Sequence, residues 1–321
     1  MIWSEMVSAW PCLRGARVDT VLESENLTWL LQGTDARYVL RRYRQGYHDS
    51  TLIQGELELM RIAREVATVA IPRNLVTHEG SACLGASDGM YVLFHYIPGS
   101  TATHDEISIV VEQVGEVAAR MHRGVEAYLG SAARGPTRWT WDLDAIDELP
   151  PRWGSWRSAV ALGSSEYEAI LAGYETMNSR LSRASRAAKH FGLIHADLRA
   201  ANLIIEGSQL VGLIDFDDCG YGWFVYDAVT SISFYETEPS AYATLTGWLQ
   251  GYQRVRVLGT EDFNLLGTLV VYRRLLETAW LWSHPGAMIP GVDRQRFVGD
   301  TAELARRYCK DPDDFMRLLQ G

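Results

Sequence analysis

No membrane span is legible in this 321-residue sequence. The apolar stretch at 265–271 is far short of the ~20 residues a helix needs to cross a bilayer, and it leads into Arg273 and Arg274. The first residues, MIWSEMVSAWPCLRGARVD, lack a basic start followed by an apolar run, so they read poorly as a secretory signal. Cysteine is scarce. Cys12, Cys83, Cys219 and Cys309 lie far apart, and none stands among histidines at metal-ligand spacing. Neither a disulfide framework nor a structural zinc site is expected. Positive charge is also short: 30 Lys+Arg against 40 Asp+Glu leave −10, where a protein that covers nucleic-acid phosphates normally presents a basic surface. There is no internal repeat and no low-complexity linker. These absences point to a cytoplasmic protein with neither a membrane nor a nucleic acid as partner. What is present is apolar mass, 47% of residues, enough for a sizeable core.

The style of the chain changes near residue 100. Before it, β-branched and aromatic enrichment predicts strands at 18–23, 27–32, 37–44, 71–78 and 89–95, separated by polar breaks. One helix is expected at 50–65, capped by Asp49 or Ser50. After residue 100, helical periodicity dominates, with helices at 105–128, 166–189, 241–255, 262–283 and 293–308. Residues 131–156 read as irregular. A hairpin is predicted at 203–215, turning at 206–208. Five strands and a helix followed by a mainly helical body describe an α+β fold in two parts, with a cleft between them as the natural ligand site.

The informative stretch is 192–218, GLIHADLRAANLIIEGSQLVGLIDFDD. Asp197 and Asn202 are five residues apart, and Asp215 follows after the hairpin. Phosphoryl transfer from a nucleotide needs a carboxylate to orient the attacking hydroxyl, and hard oxygen ligands to hold magnesium against the phosphates. Asp197 fits the first role. Asn202 and Asp215 fit the second. The run before Asp215 has no polar side chain, so its charge needs compensation, and a metal would supply it. HxD or IDF alone is common by chance. The joint pattern is specific.

This segment resembles the aminoglycoside phosphotransferase family and its relatives: choline kinases, type II homoserine kinases and bacterial stress-response Ser/Thr kinases. The family pattern HxDxxxxN, then IDF/W with a further acidic residue, is matched by His195–Asn202 and Ile214–Asp217. The run from Ile214 to Ala228 is most similar to the stress-kinase and homoserine-kinase branches. The resemblance implies a two-lobed protein-kinase-like fold, with an N-lobe at 1–97 and a C-lobe at 98–321. It implies ATP and Mg2+ as cofactors, Asp197 as catalytic base, and Asn202 and Asp215 as metal ligands. It makes His195 a support of the loop and Asp227 a brace for it.

The same resemblance implies N-lobe partners. Matching the kinase pattern V-A-I-K puts Arg41 at the phosphate-binding position with Val39 on the same strand face. Arg42 is the alternative in a register one residue off. On the following helix, Glu56 shares the apolar face with Leu52, Ile53, Leu59, Met60 and Ala63, whereas Glu58 falls on a more polar face. A carboxylate on a buried face wants a cation, which pairs Glu56 with Arg41. No GxGxxG is present. A turn carrying Ser24 and Asn26 stands where the phosphates would lie, and Phe94 and Tyr96 mark the expected adenine-holding hinge.

The acceptor is less legible. Trp139, Trp141, Trp280, Trp282 and His284 are candidate pocket walls. Asp142, Asp144, Asp147, Glu148 and Glu277 are candidate partners for an amine. A hydroxyl of a small molecule is the expected acceptor. A protein hydroxyl is the alternative, and a nucleotide-binding pseudokinase serving as an interaction module is the third reading.

Overall fold

The computed structural model of the chain describes residues 3–23, 26–148, 152–314 and 318–319. A short helix, α1 (Trp3–Ala9), precedes three antiparallel strands, β1 (Arg17–Glu23), β2 (Leu27–Gln32) and β3 (Arg37–Arg42). Helix α2 (Ser50–Val66) follows, and its N-cap Asp49 accepts the Leu52 amide at 2.8 Å, as a short polar cap should. The sheet is completed by β4 (Asn74–Leu75), β5 (Leu84–Ala86) and β6 (Gly89–His95), with β3 paired to β6.

Period-two alternation sorts this sheet into two faces. Tyr38, Leu40, Tyr91 and Leu93 point outward into a small core with Met6 and Trp10 of the first helical turns. Val39, Tyr43, Val92 and Phe94 join the main core, which runs without a break through α2 into the helical body. Among the described residues, the N-lobe therefore has two α-helices rather than the single one expected. The first is amphipathic over too few residues to stand out in sequence. The strand expected at 71–78 shrinks to Asn74–Leu75, because Pro72 has no N–H to give a ladder.

The C-lobe opens with β7 (Ser100–Thr101) and the long helix α3 (Ile107–Ser131). Then come α4 (Asp144–Asp147), α5 (Ser165–Leu181) and β8 (Phe191–Ile194). The expected hairpin is β9 (Leu203–Glu206) with β10 (Gln209–Leu213). Strand β11 (Gly220–Trp223) pairs back to β8, a contact the sequence pattern had not offered. Helices α6 (Tyr226–Thr230), α7 (Ala241–Gln253), α8 (Thr260–Ser283) and α9 (Arg294–Lys310) finish the fold. The helix expected to reach residue 189 stops at Leu181, where Ser182 and Ser185 offer the backbone local alternatives. Helix α8 is buried nearly all round, as the central helix of a bundle should be.

Two contacts fix what lies beside the cleft. Helices α3 and α7 touch backbone to backbone: a Cβ at Gly115 would lie 2.1 Å from the Trp248 carbonyl, and one at Gly251 would lie 1.9 Å from the Glu112 carbonyl. Between the lobes, Ala70 exchanges hydrogen bonds with Val211 (2.9 Å) and Leu213 (3.0 Å) of β10, two residues before Asp215. Among the described residues, no helix is long and apolar enough to cross a membrane.

Candidate active site

The loop between β8 and β9 carries Asp197, which is buried. Its Oδ1 accepts from Arg273 Nη2 at 2.8 Å. Its Oδ2 accepts from Arg199 Nε at 2.9 Å and from Asn202 Nδ2 at 2.7 Å. Burial pushes this carboxyl up, but the guanidiniums of Arg199 and Arg273 outweigh it and hold the group at about 2. Asp197 is thus an oriented, ionised carboxylate at neutral pH.

The loop is shaped from behind. Ala196 sits at φ +66°, a conformation that costs a residue with a Cβ about 1–2 kcal/mol. Asp227 holds it there, accepting the Ala196 amide at 2.7 Å and the His195 amide at 3.1 Å. Asp227 is itself bonded to His122 Nε2 at 3.0 Å, and His122 Nδ1 meets Tyr252 Oη at 3.0 Å. His195 Nε2 lies 3.1 Å from the Ile214 carbonyl, which can only accept. His195 is therefore the Nε2–H tautomer, and its Nδ1 accepts the Asp197 amide at 3.3 Å. The imidazole thus stitches the Asp197 loop to the strand that leads to Asp215.

Asp215 follows β10 at φ +65° and faces Arg41, with Nη2 at 2.9 Å from its Oδ1. Arg41 Nη1 lies 3.8 Å from Glu56 Oε1, and Glu56 also accepts from Tyr43 Oη at 3.0 Å. Arg41 belongs to the cleft-facing set of β3 with Val39 and Tyr43. Arg42 faces the other way and pairs with Asp88 at 3.1 Å. Glu58 is spent on Arg61 at the surface. Burial pushes Glu56 up to about 7 against the pull of Arg41, and pushes Asp215 up to about 6 against the same guanidinium. Asp215 keeps 30% of its side chain open to the cleft, so solvent moderates that shift.

This charged knot has unmet hydrogen-bonding capacity. Arg41 Nε and Nη1, Glu56 Oε2 and Asp215 Oδ1 are buried without an aligned hydrogen-bond partner; the Arg41–Asp215 approach is close but poorly directed. Such orphans fit a site completed by a phosphate and its cation. Among the described residues, no three His, Cys, Asp or Glu side chains cluster to hold a metal alone.

Asn26 bridges Asp217 (Nδ2 to Oδ2, 2.5 Å) and the Arg44 amide (Oδ1, 3.1 Å). Ser24 lies outside the described residues. Phe94 is buried on β6, and Tyr96 stacks under Arg37 at 4.0 Å and reaches the Gly99 carbonyl at 3.5 Å. A cavity of about 680 Å³ opens over Asp197 and Asp215. Its walls include Asp217, Asp218, Trp153, Phe234, Trp280 and His284.

Several acceptor candidates face elsewhere. Trp139 and Trp141 pack behind the cavity and donate to the Asp218 carbonyl at 3.2 and 2.6 Å, while Trp282 joins a core beside Phe297. Glu277 is fully buried on Arg273 and the Phe234 amide, Asp142 is buried beside Arg186, and Asp147 is exposed and accepts from Tyr174 Oη. None of these acids lines the cavity. Arg273 and Arg199 escaped the sequence reading. Arg199 sits inside the motif and could have been flagged as a cation two residues from an acid. Arg273 comes from α8, and only folding brings it to Asp197.

Charge reversal at Glu56 should raise the KM for nucleotide about tenfold or more, because it unseats Arg41, whereas reversal at Glu58 should leave it within about twofold. Steady-state kinetics on the two variants checks this, and equal effects would refute the pairing.

Residues 21–258 match the model of the phosphotransferase enzyme family. A homoserine kinase of Gluconobacter oxydans is 26% identical over 80% of this chain and 80% of its own length. The structure of a microcompartment-associated aminopropanol kinase superposes with a TM-score of 0.84 at 28% identity, over 97% of this chain and 98% of that one. Amicoumacin kinase hAmiN, in complex with AMP-PNP, Ca2+ and Ami, shares the fold with a TM-score of 0.74 at 19% identity, over 99% and 96% of the chains. The α+β, two-lobed protein-kinase-like architecture is thus common to them, and a protein acceptor finds no support among these similarities. The chain belongs to the phosphotransferase enzyme family and is an ATP-dependent kinase with a small molecule as acceptor.

Proposed function

We propose that this kinase moves the γ-phosphoryl group of Mg2+-bound ATP to the hydroxyl of a small alcohol that carries an amine. The observation behind the acceptor class is the cavity wall. Trp153, Trp280 and Phe234 stand beside Asp217 and Asp218 over the Asp197 carboxylate. Arg199 and Arg273 on the same wall are paired with Asp197, Arg273 also lies over Trp153 at 5.2 Å, and His284 stacks on Trp280. Aromatic faces next to carboxylates favour a cation, by ring quadrupole and by charge. A cavity of about 680 Å³ is of the size that takes a small metabolite. The likeness to a kinase whose name gives aminopropanol as substrate supports the same class.

The proposed role of each residue is supported by its position. Asp197 orients the acceptor hydroxyl and takes its proton as the new P–O bond forms. Arg199 and Arg273 keep that carboxylate in place. Arg41, steadied by Glu56, faces the triphosphate, and Asn26 holds the first hairpin against the Asp217 loop. Asn202 and Asp215 would hold magnesium, which neutralises phosphate charge. Val39, Phe94 and Tyr96 border the adenine side, with the lobe boundary near residue 97.

An ADP-release screen tests the acceptor class. Aminopropanol, ethanolamine and homoserine should turn over, while neutral sugars and a generic protein should not. Trp280→Ala should raise the KM for the amine about tenfold and leave the KM for ATP unmoved. Turnover only with neutral sugars, or only with protein, would refute the proposed class.

A further inference from the structure

We propose that Arg138 is a positioning residue for nucleotide and metal binding: one buried guanidinium locks helix α2 to the segment that follows Asp215. Arg138 lies in the irregular stretch at 131–156 and is only 7% exposed. Its Nη1 donates to the Leu52 carbonyl at 2.9 Å, in the first turn of α2. Its Nε donates to the Cys219 carbonyl at 2.5 Å, and its Nη2 to the Asp217 carbonyl in a short bond. Its guanidinium stacks on Trp139 at 4.2 Å, and Trp139 and Trp141 both donate to the carbonyl between those two, that of Asp218. Among the described residues, no carboxylate forms an ion pair with it. A charge this deeply buried is expensive, and here three main-chain carbonyls from two elements compensate it.

A second, independent observation concerns α2 itself. Gly55, next to Glu56, lies against this segment so closely that a Cβ there would sit 2.3 Å from the Thr137 carbonyl. The segment thus touches α2 at Leu52 and Gly55, in the turn that leads into Glu56. Glu56 sets Arg41, and Arg41 faces Asp215. Arg41, Glu56 and Asp215 come from a strand, a helix and a loop. Arg138 bonds directly to two of those elements. A tether of five hydrogen bonds, from Arg138, Trp139 and Trp141, fixes α2 or the loop it faces. Lysine cannot replace the fork, since it is a point donor on a flexible stem. Arg138 bonds both the helix that carries Glu56 and the segment that follows Asp215, so its largest effect should fall on the nucleotide side.

This inference rests on the kinase reading, and the experiment separates the two. Binding of Mg·AMP-PNP is measured by titration calorimetry for the parent chain and for Arg138→Met, Arg138→Lys and Gly55→Ala. Steady-state constants for ATP and aminopropanol are measured alongside. The expected result is a Kd for Mg·AMP-PNP about tenfold or more weaker in all three variants, with a smaller rise in the acceptor KM, since Asp217 and Asp218 sit on the tethered segment. Should Arg138→Met fail to fold by circular dichroism, the lysine and alanine variants are read in the same way. A parent chain that does not bind the nucleotide overturns the kinase reading and this inference with it. A parent chain that binds, with variants that bind equally well, overturns the inference alone. So does full rescue by lysine, or a loss confined to the acceptor KM.

Discussion

Asp197→Asn should lower turnover by about 10³-fold or more while the protein remains folded. The variant keeps the volume of the side chain and an oxygen that Arg273 or Arg199 can reach. It loses the ability to take a proton from the acceptor. Arg273 retains Glu277, bonded at 2.9 Å, while Arg199, which loses its carboxylate partner, is 34% exposed and stays solvated. The loss should therefore appear in kcat, with the KM for ATP little changed. ADP release and far-UV circular dichroism on the purified variant check both halves. Near-normal turnover would remove Asp197 from the chemistry. The same environment bears on pH. Arg199 and Arg273 hold the carboxyl at about 2, so Asp197 stays ionised down to strongly acidic solution and should not produce an acid limb near neutrality.

Asp215→Asn should nearly abolish use of the nucleotide–metal complex, by about 10²-fold or more in kcat/KM. Here the acid limb should arise. Burial lifts the Asp215 carboxyl to about 6, and neighbouring Asp217 adds to the lift, while Arg41 opposes it. A cation needs the ionised form, so proton and metal compete. The magnesium concentration for half-maximal rate should rise as pH falls from 7 to 5, by up to about tenfold per unit below the carboxyl's pKa. The stability sign follows. A carboxyl whose folded pKa is raised favours the fold while it holds its proton, and that contribution is lost as pH rises through about 6. Without metal, the melting temperature should lose ground on this account between pH 4 and 6. Mg·nucleotide at a hundredfold excess over Kd should restore about 2.7 kcal/mol. Thermal melts with and without Mg·AMP-PNP report this. A melting curve equally responsive to Mg·AMP-PNP in the Asn variant would exclude Asp215 as a ligand.

The motif residues were readable because the pattern is local. Asp197, Asn202 and Asp215 hang on one hairpin, and a hairpin's ends meet whatever surrounds it. Glu56 was readable because helical period places it on the apolar face of α2, and Arg41 because strand period separates it from Arg42. What escaped notice came from far along the chain. Arg273 reaches Asp197 from α8, and Arg138 reaches α2 and the Asp217 carbonyl across most of the fold. Neither carries a local signature, since a buried arginine looks like any other until its partners arrive. The candidate acids failed for the related reason that Glu277 and Asp142 found arginines of their own. The short helix α1 and strand β11 were too brief for periodicity to show.

The backbone contact between α3 and α7 has a consequence at the far end of a chain of bonds. His122 stands on α3 and Tyr252 on α7, and together they lead to Asp227 and so to the Ala196 amide. Any side chain at Gly115 or Gly251 would wedge the two helices apart and loosen that relay. Natural variants that slow this enzyme can therefore arise at sites no substrate ever meets, through slack passed along the scaffold.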